Sequence, residues 1–152
     1  MLVDTGFLVA LGIERDPRHR AARDFIARYK GELLVPTPVV TETCYFLSTA
    51  GKVRLLDWLS QPRHKVLDLP VVAYADVGQI LVRYTSLDPD FTDAAILWLA
   101  QESGCSAILT VDIRNFSTFR MGNGKRFALV NPGLTSTKES LLKSVSWRMS
   151  VF

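Results

Sequence analysis

Met1-Leu2-Val3-Asp4-Thr5-Gly6 opens the chain, and Ala107-Ile108-Leu109-Thr110-Val111-Asp112 repeats its pattern far downstream: a short apolar run that stops at an aspartate. Short apolar runs of this kind read as strands buried on both faces of a parallel sheet. In an open α/β sheet the carboxyl ends of such strands border the crevice where ligands bind. Two carboxylates placed there repel each other unless a cation or a shared proton compensates. Hard oxygen donors are what Mg²⁺ or Mn²⁺ selects. The pattern therefore points toward metal-dependent phosphate chemistry.

Between the two runs, strand and helix signals alternate. Asp16-Pro17 opens a helix to about residue 29, with Gly31 as its stop. Leu33-Leu34-Val35 is a short strand, and Thr37-Pro38 starts a helix to about Gly51. Leu55, Leu56, Trp58 and Leu59 predict a further short helix, and residues 66–69 a third strand cut short by Pro70. A helix over 73–84 carries Val77, Ile80, Leu81 and Tyr84 on one face. The next, over 91–103, turns Phe91, Ala94, Ala95, Trp98 and Leu99 to the core and stops at Gly104. Residues 107–111 and 127–130 are the last strands. The fold class is α/β, a three-layer α/β/α sandwich with a mainly parallel central sheet. One domain spans 1–132, and 133–152 form a C-terminal appendage with Leu141, Leu142, Val145 and Met149 on one helical face.

Of 152 residues, 48% are hydrophobic and 22% charged, which excludes a disordered chain. No apolar run approaches the ~18–20 residues of a membrane span, and no secretory signal is visible. Cys44 and Cys105 sit in apolar contexts and read as buried, reduced thiols of a cytoplasmic protein. Net charge is +3, but acids crowd the middle of the chain between basic flanks. That pattern fits an acidic site with basic walls for a polyanion, though on charge alone a set of solvated helix faces is the plainer reading.

Four acids draw attention. Asp4 can cap a helix, ligate a metal, or do both, since the cap position lies at the strand end. Glu42 lies at the edge of the buried side of its helix, beside Phe46, as a cleft acid or an ordinary boundary glutamate. Asp93 falls in the first turn of its helix, where the dipole favours a carboxylate, with Asp90 or Thr92 as cap. Asp112 can close an Asx turn or cap a short helix, but Thr110 alternates with it across Val111, so both can project to one side. His19 and His64 lie in basic stretches and read as solvated.

Val3-Asp4-Thr5-Gly6, Glu42 in Val39-Val40-Thr41-Glu42-Thr43, Asp93 in Phe91-Thr92-Asp93-Ala94-Ala95-Ile96, and Thr110-Val111-Asp112-Ile113-Arg114-Asn115-Phe116 occur in order. In order and spacing the chain resembles a PIN domain, in particular the small VapC-type toxins, from residue 1 to about 132. The resemblance implies that Asp4, Glu42, Asp93 and Asp112 are the catalytic, metal-binding acids, with Thr5 and Thr110 as supporting hydroxyls. Asn115 stands where many members carry a further acid or a histidine. The implied activity is Mg²⁺- or Mn²⁺-dependent hydrolysis of RNA. Asp4 and Asp112 would be inner ligands; Glu42 and Asp93 would act through water, complete a second site or orient the attacking water. Arg15, Arg18, Arg20 and Arg23 on one side, and Arg114, Arg120, Lys125 and Arg126 on the other, are candidate phosphate contacts. The family also implies a homodimer and a cognate antitoxin whose C-terminal segment places a basic side chain among the acids. Phe25, Tyr29, Phe46 and Trp58 are core residues or the lining of a partner's groove. Alternative readings are a PIN nuclease of RNA processing, a catalytically silent PIN-like binding module, and a phosphatase with Asp4 as nucleophile, though that class wants an Asp where Gly6 stands.

Overall fold

Every named strand of the central sheet runs parallel to its neighbours, in the order β3-β2-β1-β4-β5. The computed structural model describes residues 1–133. The strands are β1 (Leu2–Val3), β2 (Leu33–Pro36), β3 (His64–Leu67), β4 (Ala107–Leu109) and β5 (Ala128–Val130). Leu2, Val3, Leu33, Val35, Ile108 and Leu109 are fully buried, as strands covered on both faces must be. The helices are α1 (Thr5–Gly12), α2 (His19–Arg28), α3 (Thr37–Phe46), α4 (Thr49–Leu59), α5 (Ala73–Arg83), α6 (Phe91–Ser103) and α7 (Ile113–Thr118). A 3-10 turn covers Thr85–Leu87. From β1 the chain winds outward to β2 and β3, then returns across the sheet to β4 and β5. The order therefore reverses between β1 and β4, the position at which a crevice opens outside the strand ends. The α/β sandwich read from the sequence is the fold observed. The appendage predicted from residue 133 lies, from 134 onward, outside the described residues.

Some elements differ from their sequence-based bounds. The helix expected to run from Thr37 to Gly51 breaks at Leu47, and a second helix begins at Thr49. Ser48 is the cause: its Oγ accepts from the Gly51 backbone N–H at 3.2 Å and caps α4. Gly51 is no stop signal. It is buried inside α4, where a Cβ would come within 3.2 Å of Leu47 Cβ, so its lack of a side chain lets the α3–α4 corner close. Helix α2 begins at His19 rather than at Pro17, because Asp16 holds the Arg18 backbone N–H at 2.8 Å in a preceding turn.

Strand β3 sits two residues earlier than predicted, pairing Leu33 with His64. His64 is the reason, and it is not solvated: the residue is 6% exposed, its ring packs on Trp58, and its Nδ1 lies 2.6 Å from the Trp58 carbonyl oxygen. Burial holds its pKa below the ordinary imidazole value. His19 is half-buried, with Nδ1 2.9 Å from the Ala10 carbonyl oxygen. Cys105 is buried and Cys44 only half-buried; both are free thiols.

Thr43, fully buried on α3, has a hydroxyl with no partner. An orphaned buried hydroxyl is a net cost that an isosteric methyl removes. Thr43→Val should raise stability by about 1 kcal/mol, read as a higher urea midpoint with an unchanged slope.

Candidate active site

The two aspartates that end the repeated apolar runs stand at the reversal point of the sheet. Asp4 follows β1, its backbone N–H donating to the Leu109 carbonyl at 3.0 Å. Asp112 follows β4 by three residues. Thr110, fully buried, joins them: its Oγ1 donates to Asp4 Oδ2 at 2.8 Å and accepts from the Asp112 backbone N–H at 2.8 Å. This one hydroxyl fixes both acids relative to the strand ends. Thr110→Val should lower stability by about 1–3 kcal/mol, because the buried Asp4 oxygen loses its donor; chemical denaturation measures it.

Asp4 is 7% exposed. It occupies the N-cap position of α1, facing the backbone N–H groups of Thr5 and Gly6 without closing a side-chain capping bond. Burial pushes its carboxyl up to about 6, against the pull of Thr110 and those N–H groups, and the Glu42 charge adds to the rise. Gly6 is required here, since a Cβ would lie 2.7 Å from Val111 Cγ2 and 3.3 Å from Asp4 Oδ2.

Glu42 reaches the same place from α3. Its Oε2 accepts from the Thr5 hydroxyl at 2.6 Å, so the residue after Asp4 orients the second acid. Asp93 arrives from the first turn of α6, whose cap is Asp90; Asp90 Oδ1 accepts from the Asp93 backbone N–H at 2.8 Å. The Asp93 carboxyl is pushed up to about 7, first by burial, then by the charges of Asp90, Asp4, Glu42 and Asp112. Four chain segments thus contribute acids whose charges reach Asp93. Asp112 caps α7, accepting from the Asn115 backbone N–H at 3.1 Å, and Asn115 Nδ2 donates to its other oxygen at 2.9 Å. Asn115 therefore steadies Asp112 rather than adding charge.

Among the described residues, the two ion pairs, Arg18–Asp16 and Lys65–Glu32, involve none of these four acids. Among those same residues, no group of three or more His, Cys, Asp or Glu side chains is arranged to hold a metal ion as it stands. The donor chemistry nevertheless suits a hard divalent cation: all oxygens, with the Asp4 and Asp93 carboxyls pushed toward protonation first by burial and then by neighbouring carboxylates.

The basic residues named from the sequence divide. Arg15, Arg20, Arg23, Arg114, Lys125 and Arg126 are exposed. Arg18 is engaged with both oxygens of Asp16 at 3.0 and 3.1 Å. Arg120 Nη1 donates to the carbonyls of Ser117, Thr118 and Phe119, tying down the end of α7. Of the aromatics, Phe25 and Tyr29 stack on one another and pack on the core, while Phe46 is 53% exposed. Trp58 lines a groove of about 330 Å³ with Leu8, Leu11, Leu47 and Leu55.

One feature escaped the sequence reading. Phe91 was expected in the core, but it is 40% exposed and stacks on Tyr74, itself 57% exposed. As the first residue of α6 it precedes the buried turn formed by Ala94 and Ala95. Both rings line a recess of about 490 Å³ with Thr37, Thr41, Glu42, Asp68 and Thr92.

The acids stand at the reversal point of a short parallel α/β sheet, and residues 1–120 match the PIN domain family. The chain belongs to that family. It is similar to Ribonuclease VapC26 of Mycobacterium tuberculosis (strain ATCC 25618 / H37Rv), with 27% identity over 134 residues covering 86% of this chain and 99% of that one. A solved structure, that of Mycobacterium tuberculosis VapC20, described as a Sarcin-Ricin loop cleaving toxin, superposes with a TM-score of 0.70 at 22% identity. It covers 75% of this chain and 91% of that one, and its likeness is one of fold. Among the described residues no helix is long and apolar enough to cross a membrane.

Proposed function

We propose that this chain is a metal-dependent endoribonuclease that hydrolyses RNA phosphodiester bonds, and that it acts in the cytoplasm as the toxin of a toxin–antitoxin pair. The observation that carries the reading is the hydrogen-bonded convergence of Asp4, Glu42 and Asp112 through Thr5 and Thr110, with Asp93 close enough to feel all three charges, within a PIN domain. Asp4 and Asp112 would hold the ion directly. Glu42, oriented by Thr5, and Asp93 would act through water, orienting the attacking molecule and accepting its proton. Mg²⁺ or Mn²⁺, when bound, acidifies water and offsets charge on the phosphate and the leaving oxygen. The water oxygen forms a new bond to phosphorus as the bond to the leaving oxygen breaks, so no side-chain nucleophile is needed. Thr110 and Asn115 keep Asp4 and Asp112 in register throughout. The exposed Arg15, Arg20, Arg23, Arg114, Lys125 and Arg126 would hold backbone phosphates without reading sequence. A second copy of the chain and an antitoxin bearing a basic side chain for the acidic cluster are the proposed protein partners.

The test is cleavage of RNA with and without Mg²⁺ or Mn²⁺. Cleavage should require the ion and cease with EDTA; ion-independent cleavage rejects the mechanism. Growth arrest on expression, relieved by co-expressing a small protein encoded alongside, separates a toxin from a processing nuclease.

A further inference from the structure

The recess beside Glu42 has a composition that the acid cluster does not use. Its rim is the Tyr74–Phe91 pair, with ring centroids 5.9 Å apart and planes 26° from parallel. Two large aromatic rings left half-exposed on adjoining helices form a flat apolar surface that the fold itself does not bury. Its polar lining is neutral or acidic: Thr37, Thr41, Thr92 and Asp68. The Thr37 hydroxyl donates to Asp68 Oδ1 and also points to the Leu67 carbonyl at 3.3 Å, which fixes the hydroxyl and the carboxylate relative to the end of β3. None of the residues lining the recess is basic, so the recess is not built for a phosphate. Because Glu42 belongs to both, the recess opens directly off the acidic crevice.

We infer that this recess is a nucleobase subsite, in which an unpaired base of the RNA substrate stacks on the Tyr74–Phe91 platform while its backbone passes the acid cluster. The inference rests on the ribonuclease reading above and deepens it by assigning the side chains that hold a base of the substrate beside the acid cluster. Stacking suits the site because every base has a π-face, and a base locked in a duplex cannot present one. Asp68 adds an acceptor and no donor, so an edge bearing N–H groups is favoured beside it. Tyr74 and Phe91 act here as positioning residues.

The experiment separates this subsite from catalysis by measuring binding without turnover. Full-length Asp4→Asn protein is titrated, by fluorescence anisotropy, with a labelled single-stranded RNA, the same sequence in a duplex, and a series carrying one abasic position each. Tyr74→Ala, Phe91→Ala and Tyr74→Phe are made in that background and in the active protein. Single-stranded RNA should bind better than duplex, and one abasic position should weaken binding. Each alanine variant should lose about ten- to a hundredfold in affinity, as expected for removal of one stacking ring. Tyr74→Phe should restore it. In the active protein the same alanine changes should raise KM far more than they lower kcat. Equal binding of duplex and single strand, indifference to every abasic position, unchanged affinity in both alanine variants, or no RNA binding at all overturns the subsite. An alanine variant that instead changes the sedimentation behaviour of the protein identifies the surface as a contact between copies, which also overturns it. Failure of cleavage with binding and its ring dependence intact would count against the catalytic reading alone.

Discussion

Asp4→Asn should abolish RNA cleavage, with a loss on the order of a thousandfold or more in kcat, comparable to removing a principal electrostatic contact in other hydrolytic sites. Asp4 is the most buried of the four acids, and its carboxylate is held from one side by Thr110 and from the other by the start of α1. The amide of asparagine keeps the size and can still accept from Thr110, so the fold survives while the charge goes. Single-turnover cleavage of a labelled RNA at saturating Mn²⁺ measures the effect. Full activity in Asp4→Asn would reject the assignment of this carboxylate.

The same substitution should have the opposite effect on the metal-free fold. Asp4 has its pKa raised from 3.8 to about 6, so the folded state holds a proton that the unfolded chain has already released. A raised carboxyl is neutral with respect to stability below pH ~4, where both states are protonated. It then destabilises the fold progressively as pH rises, reaching its full cost above its folded pKa. A shift of this size corresponds to about 3 kcal/mol. Asp93, raised to about 7, acts in the same direction and extends the window upward. His64 and the Met1 amine, both lowered by burial, oppose the trend as pH falls. The informative quantity is therefore the difference between Asp4→Asn and the parent protein. In EDTA the variant should melt higher at pH 8, and the advantage should disappear by pH 4. Divalent cations should reverse the ranking at pH 8. An ion at a thousand times its dissociation constant stabilises the parent by about 4 kcal/mol, more than the Asp4 charge costs, and should do much less for the variant. A variant no more stable than the parent at pH 8 in EDTA would show that the Asp4 charge carries no such penalty.

The sheet was legible from sequence because parallel strands buried on both faces leave uninterrupted apolar runs. Leu2–Val3 and Ala107–Leu109 are such runs, each followed by a polar signal. Helix boundaries were less legible where a cap competes with a pattern: Ser48 divides what periodicity joins, and the Asp16–Arg18 turn delays α2. The positions of the acids relative to their elements could be read, because each cap or strand end is a local matter. The cation-holding roles proposed for them rest on chemistry rather than on a preformed cage. Whether a residue is exposed depends on neighbours distant in sequence. His64 looked solvated amid basic residues, yet Trp58 covers it. Phe91 looked like core by its spacing, yet it is 40% exposed, with its ring against Tyr74. The Tyr74–Phe91 recess could not be seen in advance, because its walls come from three separate helices and the end of a strand.

The hydrogen bond from Thr110 to Asp4 spans 106 positions of chain. Contacts of such long range form only after most of the polypeptide is available, since closing the intervening loop costs entropy that local structure cannot repay. A polypeptide still emerging from the ribosome thus has β1 but lacks the neighbour that completes its crevice. The assembled cluster is therefore a late product of synthesis: it forms only once β4 has been made and has docked beside β1.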